Sequence, residues 1–191
     1  MARNREFDTE GVLDNATDLF WDKGFNGVST QELVDRFGIS KSSMYGAFGD
    51  KMKLFITVLK RYSLQATSNL ENRLNESKDV KKEITSILND ISKRSLEICK
   101  GCFIVNTAIE LAPHNERIAA ITRDHRRRLE AAFTMAIRKG IERGEISDNK
   151  NPEAISRTIC NIISGIQVDT KYIKEKKYFE TIIITVGELL K

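Results

Sequence analysis

The 191 residues include only two prolines, three cysteines, two histidines and one tryptophan. So few prolines leave long stretches of backbone free to form helix. Three cysteines, Cys99, Cys102 and Cys160, argue against a disulfide framework and for a reducing compartment. Two histidines and no clustered acids give catalysis little to work with. There is no nucleotide-binding glycine pattern, no H-E-x-x-H and no serine-hydrolase elbow. No N-terminal apolar segment reads as a signal peptide, and no run approaches the ~18 apolar residues of a membrane span. The longest aliphatic cluster, TIIITV at 181–186, is far too short. The expectation is a cytoplasmic protein with no membrane partner. No catalytic residue, cofactor or metal ligand is assigned.

What is present is helical in character. The chain is 40% apolar and 30% charged, and apolar residues recur at i, i+3, i+4 and i+7 nearly throughout. CKGC at 99–102 spells C-x-x-C, but no strand precedes it and no second ligand pair accompanies it beyond His114 and His125. Two small thiols at a helix junction are the plainer reading.

Charge is distributed unevenly. Residues 1–62 carry nine Lys/Arg and nine Asp/Glu, yet 36–61 hold six basic groups against the single acid Asp50. A local excess of that kind steers a polyanion.

The periodicity predicts a first helix over about 8–23, with Val12, Ala16, Leu19 and Phe20 on one face and Gly24 as a left-handed cap. Ser29 with Glu32 forms a capping box that starts a second helix, stopped by Gly38. Ser40 caps a short third helix with Met44 and Phe48 one turn apart, ended by Gly49. Asp50 caps a long fourth helix, striped by Leu54, Phe55, Val58, Leu59, Tyr62, Ala66, Leu70 and Leu74. Further helices are expected over about 80–99, 102–111, 115–143, 152–173 and 177–190. Pro152 suits a first helical turn.

The second and third helices make a helix-turn-helix pattern. Ile39, Met44 and Phe48 anchor the short helix, while Ser40, Lys41, Ser42 and Ser43 give its N-terminal end small polar and basic side chains that suit base edges. Tyr45 and Lys51 stand one turn further on, where a phenol and an ammonium suit phosphates. Ser29 and Thr30 open a helix whose free N–H groups form a phosphate site. A helical hairpin with a solvated serine-rich cap has the same periodicity and remains the alternative.

Residues 12–55, VLDNATDLFWDKGFNGVSTQELVDRFGISKSSMYGAFGDKMKLF, resemble the DNA-binding domain of TetR-family transcriptional regulators. The likeness runs through the first helix ending in KGF, the hydroxyl-capped second helix, and GISKSSMYGAFGDK. Two departures are Gly46 and Ala47 after the tyrosine, and Gly49 where many members carry a basic residue.

The resemblance implies an all-α fold of about nine helices and a homodimer, commonly a repressor. It would bind a palindromic double-stranded DNA operator and release it when a small-molecule inducer, here unknown, enters the C-terminal domain. It implies a helix-turn-helix domain over 1–50 and a larger helical regulatory and dimerisation domain over 51–191, linked by the fourth helix (about 50–76). Lys41, Ser42 and Ser43 are the candidates for base edges; Ser29, Thr30, Ser40, Tyr45 and Lys51 for phosphates. Arg3 and Arg5 form either an arm on the DNA or a solvated tail.

Beyond residue 63, GCFIVNTAIEL at 101–111 looks like a segment found in one branch of the family. Phe103, Asn106, Thr107, Glu110 and His125 are the pocket candidates. His125, four residues from both Ile121 and Leu129, equally suits a core or interface. Ile155, Ile159, Ile162, Ile163, Ile166, Phe179, Ile182, Ile183, Val186 and Leu190 stripe the last two helices. They are the candidates for intersubunit four-helix packing. Two other functions stay open: a DNA-binding protein without an inducer (architectural or partner-recruiting), and a helical small-molecule-binding enzyme or carrier.

Overall fold

A computed structural model describes residues 8–191; Arg3 and Arg5 lie outside the described residues. Every regular element among those residues is helical. Helix α1 (Thr9–Lys23) starts at Asp8, whose carboxylate accepts the Glu10 N–H. It buries Val12, Leu13, Ala16 and Phe20. Gly24 ends it at φ 73° and ψ 173°, so its φ is positive as expected but its ψ lies outside the left-handed helical well. Helix α2 (Thr30–Phe37) is capped by Ser29, which accepts the Glu32 N–H, and α3 (Lys41–Phe48) by Ser40, which accepts the Ser43 N–H. Gly49 closes α3 at φ 76° and ψ −141°, a conformation open only to glycine at low cost. A basic side chain at 49 is therefore incompatible with this cap.

Helix α4 (Lys51–Glu76) follows, capped by Asp50. Its buried stripe differs from the expected one at two places. Ser63 and Thr67 are buried, whereas Ala66 is half-exposed. The hydroxyls tolerate burial because Thr67 returns its donor to the Ser63 carbonyl and Ser63 bonds His125. Then come α5 (Val80–Ile98), α6 (Phe103–Leu111), a 3₁₀ turn (Ala112–His114), α7 (Glu116–Glu142), α8 (Pro152–Asp169) and α9 (Lys176–Leu189). Helix α8 stops at Asp169, a turn earlier than expected, where a Thr170–Ile173 turn takes over.

Two apolar clusters organise these helices. The first joins α1 to α3 and the start of α4 with Cys102, Phe103, Ile104, Leu111 and Ile118. Edge-to-face contacts from Phe20 to Phe55 (5.0 Å) and from Phe55 to Phe103 (5.6 Å) knit it together. The second holds α5, α8, α9 and the distal parts of α4 and α7.

That second cluster takes up most of the stripe expected between subunits. Ile155, Ile159, Ile163, Ile166, Phe179, Ile183, Val186 and Leu190 are all buried within the subunit. They pack against α5 and α7 rather than waiting for a partner. Of the ten, only Ile162 and Ile182 are half-open. An aliphatic stripe looks the same in sequence whether its cover is its own chain or another.

Candidate nucleic-acid interface

The short helix α3 is held by Met44, which is fully buried, with Ile39 and Phe48 half-buried beside it. That anchoring turns Lys41, Ser42, Ser43, Tyr45 and Gly46 outward. Ser42 and Gly46, one turn apart, lie opposite Met44 on the wheel. Nothing lies within 4 Å of where a Gly46 Cβ would stand, so packing does not demand the glycine. In a helix interior it costs about 1 kcal/mol against alanine.

The serines differ in their freedom. Ser40 is occupied as the cap, and its hydroxyl also meets Ser42 Oγ at 2.9 Å and Ser43 Oγ at 2.8 Å. Hydroxyls that satisfy one another at the helix tip hold a shared orientation, while their second lone pairs stay open to solvent. Ser29 accepts from Glu32, and Thr30 beside it has no side-chain bond among the described residues. Tyr45 is 43% exposed and its hydroxyl has no partner among them.

Lys51 stands elsewhere than expected. Its Nζ donates to the Phe25 carbonyl at 2.9 Å and the Val28 carbonyl at 2.6 Å, and lies 4.1 Å from the Phe25 ring centroid. Two of its three donors and its cation–π face are used in clamping the α1–α2 turn. The basic excess over 36–61 is trimmed as well. Arg61 pairs with Asp14 (2.5 Å) and Glu10 (3.0 Å), and Arg36 donates to Asn15. Lys41, Lys53 and Lys60 have no partner among the described residues and carry what positive field remains.

Glu110, expected in a pocket, instead accepts the backbone N–H of Phe25 at 3.0 Å and of Asn26 at 2.8 Å. The turn between α1 and α2 is thereby gripped from two sides, by Lys51 on its carbonyls and Glu110 on its amides. A Cβ on Gly24 would stand 2.7 Å from Glu110 Oε2, so the close approach needs glycine.

A cavity of about 1180 Å³ lies below this head, between α4, α5, α6, α7 and α8. Of the five pocket candidates only His125 lines it. Phe103 and Thr107 are buried in packing. Asn106 donates to the Lys100 carbonyl and lines a smaller recess of about 340 Å³. Among the lining residues missed are Trp21, Tyr62 and Arg94. Trp21 belongs to α1 yet forms part of the wall, and no local pattern could have placed it there. His125 Nδ1 meets Ser63 Oγ at 2.9 Å, and burial pushes its pKa down to about 4, so the ring is neutral near pH 7. Cys102 and Cys160 are buried, which pushes both thiols up, Cys160 to about 12. Cys99 is exposed, with the Lys174 ammonium 3.1 Å from its sulfur.

The chain matches two family models: the one described as bacterial regulatory proteins, tetR family, over residues 12–58, and the tetracyclin repressor-like C-terminal domain over 83–186. It is 34% identical over 149 residues to the uncharacterized HTH-type transcriptional regulator YezE of Bacillus subtilis, covering 77% of each chain. It is 27% identical over 173 residues to the HTH-type transcriptional repressor ComR of Escherichia coli, covering 89% of this chain and 82% of that one. In fold it superposes on a cysteine mutant of the TetR family regulator CifR complexed with 26-bp operator DNA. The TM-score is 0.88 at 22% identity over the whole of both chains.

Proposed function

The chain belongs to the TetR family of bacterial regulatory proteins and is a transcriptional regulator rather than an enzyme, and from that premise we propose that it is a homodimeric repressor released from a palindromic operator by a small molecule. The observation that carries the reading is the outward face of α3, where Lys41, Ser42, Ser43 and the side-chain-free Gly46 stand clear of the head that anchors them. A helix that enters the major groove needs its base-facing side uncluttered, and Ser42 and Gly46 let the backbone come close. Lys41 and Ser42 read base edges. Thr30, Tyr45 and Ser29 set the register on phosphates. Lys51 supports this role by fixing the turn, with one donor left over for a secondary phosphate contact.

On this reading residues 1–50 form the DNA-binding domain and 51–191 the regulatory and dimerisation domain, with α4 joining them. The cavity of about 1180 Å³ supports an effector site, being somewhat roomier than the roughly 300–1,000 Å³ that drug-sized ligands occupy; a purely architectural DNA-binding protein has no use for it. The dimer surface comprises the stripes left open on the last two helices: Ile162, Gly165 and Tyr172 near α8, and Tyr178, Ile182, Thr185 and Leu189 on α9. A Cβ at Gly165 meets nothing in its own subunit, which leaves room for a partner helix. The similarity to ComR, a repressor, supports the sign of regulation.

The test is selection of genomic fragments by the purified protein, followed by footprinting of the recovered site. Two protected half-sites about one helical turn apart are expected. Binding with no preference over random duplex removes the reading.

A further inference from the structure

The charges around the large cavity are sorted along its length. Ser63 bonds His125 and Asn75 bonds Lys139, so α4 and α7 run parallel. Arg73 of α4 pairs with Glu83 and Asp90 of α5, while Cys102, just past the end of α5, meets Tyr62, so α4 and α5 run antiparallel. At the end under the DNA-binding head, level with Tyr62, the lining carries Arg94, Arg123, Arg126 and Arg127. The acid that shares the lining there, Glu130, is bound to Arg126 at 2.8 Å. Toward the far end stand Asp90, one turn of α5 from Arg94, and then Glu76, with Arg73 bound to Asp90 at 2.8 Å. The cavity is therefore basic beneath the head and acidic at its distal end.

Within the basic end, Arg123 pairs with Glu116 and Arg127 with Asp124. Arg94 has no acid partner among the described residues. Near it, the Tyr62 hydroxyl takes a backbone contact from Phe103, and the one acceptor it finds among the described residues is the Cys102 sulfur at 3.9 Å, a weak one. A guanidinium and a phenol without good acceptors share one end of a chamber whose middle is lined by Leu70, Ile87, Ile91, Leu129 and Ile163.

We propose that the cavity takes an elongated organic anion, its acidic group at the Arg94–Tyr62 end and its apolar body along the aliphatic middle. This rests on the reading of the cavity as the effector site. A cation is disfavoured at the basic end by unpaired positive charge, and at the acidic end Arg73 already partly neutralises Asp90. A neutral apolar ligand leaves the guanidinium and the phenol as they are, without gain. Placed this way, the anion lies beside Trp21 and hence against α1 of the head.

Trp21 is the chain's single tryptophan and stands in the cavity wall, so its emission reports occupancy. The experiment titrates full-length protein at pH 7.5 with 4-phenylbutanoate, 4-phenylbutanol and 4-phenylbutylamine, which differ in charge on one skeleton. The acid should bind about tenfold more tightly than the alcohol, the scale of one charge-assisted contact at a partly exposed site, and the amine most weakly. In Arg94→Gln the acid's affinity should fall to that of the alcohol, whose own affinity serves as the internal control. Equal binding of all three probes to the unaltered protein, or preference for the amine, overturns the proposal. A parallel titration follows release of a fluorescent operator fragment. Acid binding without release leaves the anion assignment standing and overturns the inducer role. Release of the operator by all three probes alike does the reverse.

Discussion

Glu110 ties the regulatory helices to the DNA-binding head, and Glu110→Gln measures what that tie is worth. Its two carboxylate oxygens accept one backbone N–H each, from Phe25 at 3.0 Å and Asn26 at 2.8 Å. Glutamine keeps one acceptor but turns an amide NH₂ toward the other N–H, so one of the two bonds is lost and replaced by a donor–donor contact. A hydrogen bond to a charged group contributes about 1.5–3 kcal/mol, and the half-exposed position lets water recover part of it, leaving roughly 1–2 kcal/mol. For a chain of this length that is a fall of roughly 3–6 °C in Tm. Hydrogen exchange read amide by amide gives the sharper signal. Opening of the 24–28 turn should become roughly 5- to 30-fold more frequent, with Phe25 and Asn26 losing protection while amides of α5 and α9 keep theirs. Gly24→Ala should reproduce the pattern by a different route, because its Cβ would displace the carboxylate. Unchanged exchange at Phe25 and Asn26 in Glu110→Gln would refute the reasoning and return Glu110 to the surface of α6.

Operator affinity should fall by about 0.9 log unit per log unit of salt for each phosphate neutralised, with Lys53 and Lys60 contributing through their unpaired ammoniums; a salt-insensitive complex contradicts this. Lys41→Ala should cost about 1–3 kcal/mol and relax preference at one base position in a competition assay, and an unaltered preference assigns Lys41 to phosphate instead. His125 titrates at about 4 in the fold against 6.5 when free, so the unfolded chain takes the proton first. Its contribution is complete above pH 6.5 and declines by at most roughly 3 kcal/mol as pH falls to 4. His125→Gln should flatten that part of the stability–pH curve, and superimposable curves reject it. Ile162→Glu or Ile182→Glu should convert a dimer to a folded monomer in sedimentation, whereas a dimer that persists in both moves the interface elsewhere.

The local chemistry of this chain was legible from its residues. Ser29, Ser40 and Asp50 are caps as their neighbours predict, because an N-cap needs only a side-chain oxygen within reach of amides two or three residues on. Gly38 and Gly49 end helices because a positive φ is a property of one residue. The serine-rich tip of α3 and its Met44 anchor follow from spacing alone, and so does the helical class.

What lay out of reach depends on contacts between residues far apart in the chain. Lys51 and Glu110 were expected on phosphate and ligand, yet both close on the α1–α2 turn, 23 to 26 and 84 to 85 residues away. No periodicity records that pairing. The aliphatic stripes of α8 and α9 announced burial without naming the cover, and packing against α5 and α7 supplied it from the same subunit. Trp21, Tyr62 and Arg94 share a cavity because three helices converge there. A sequence by itself determines which groups are present and how each helix begins and ends, since those rest on neighbours a turn apart. Which side chains stay free for DNA, effector or partner is settled by long-range packing, which satisfies some donors and charges and leaves the others open.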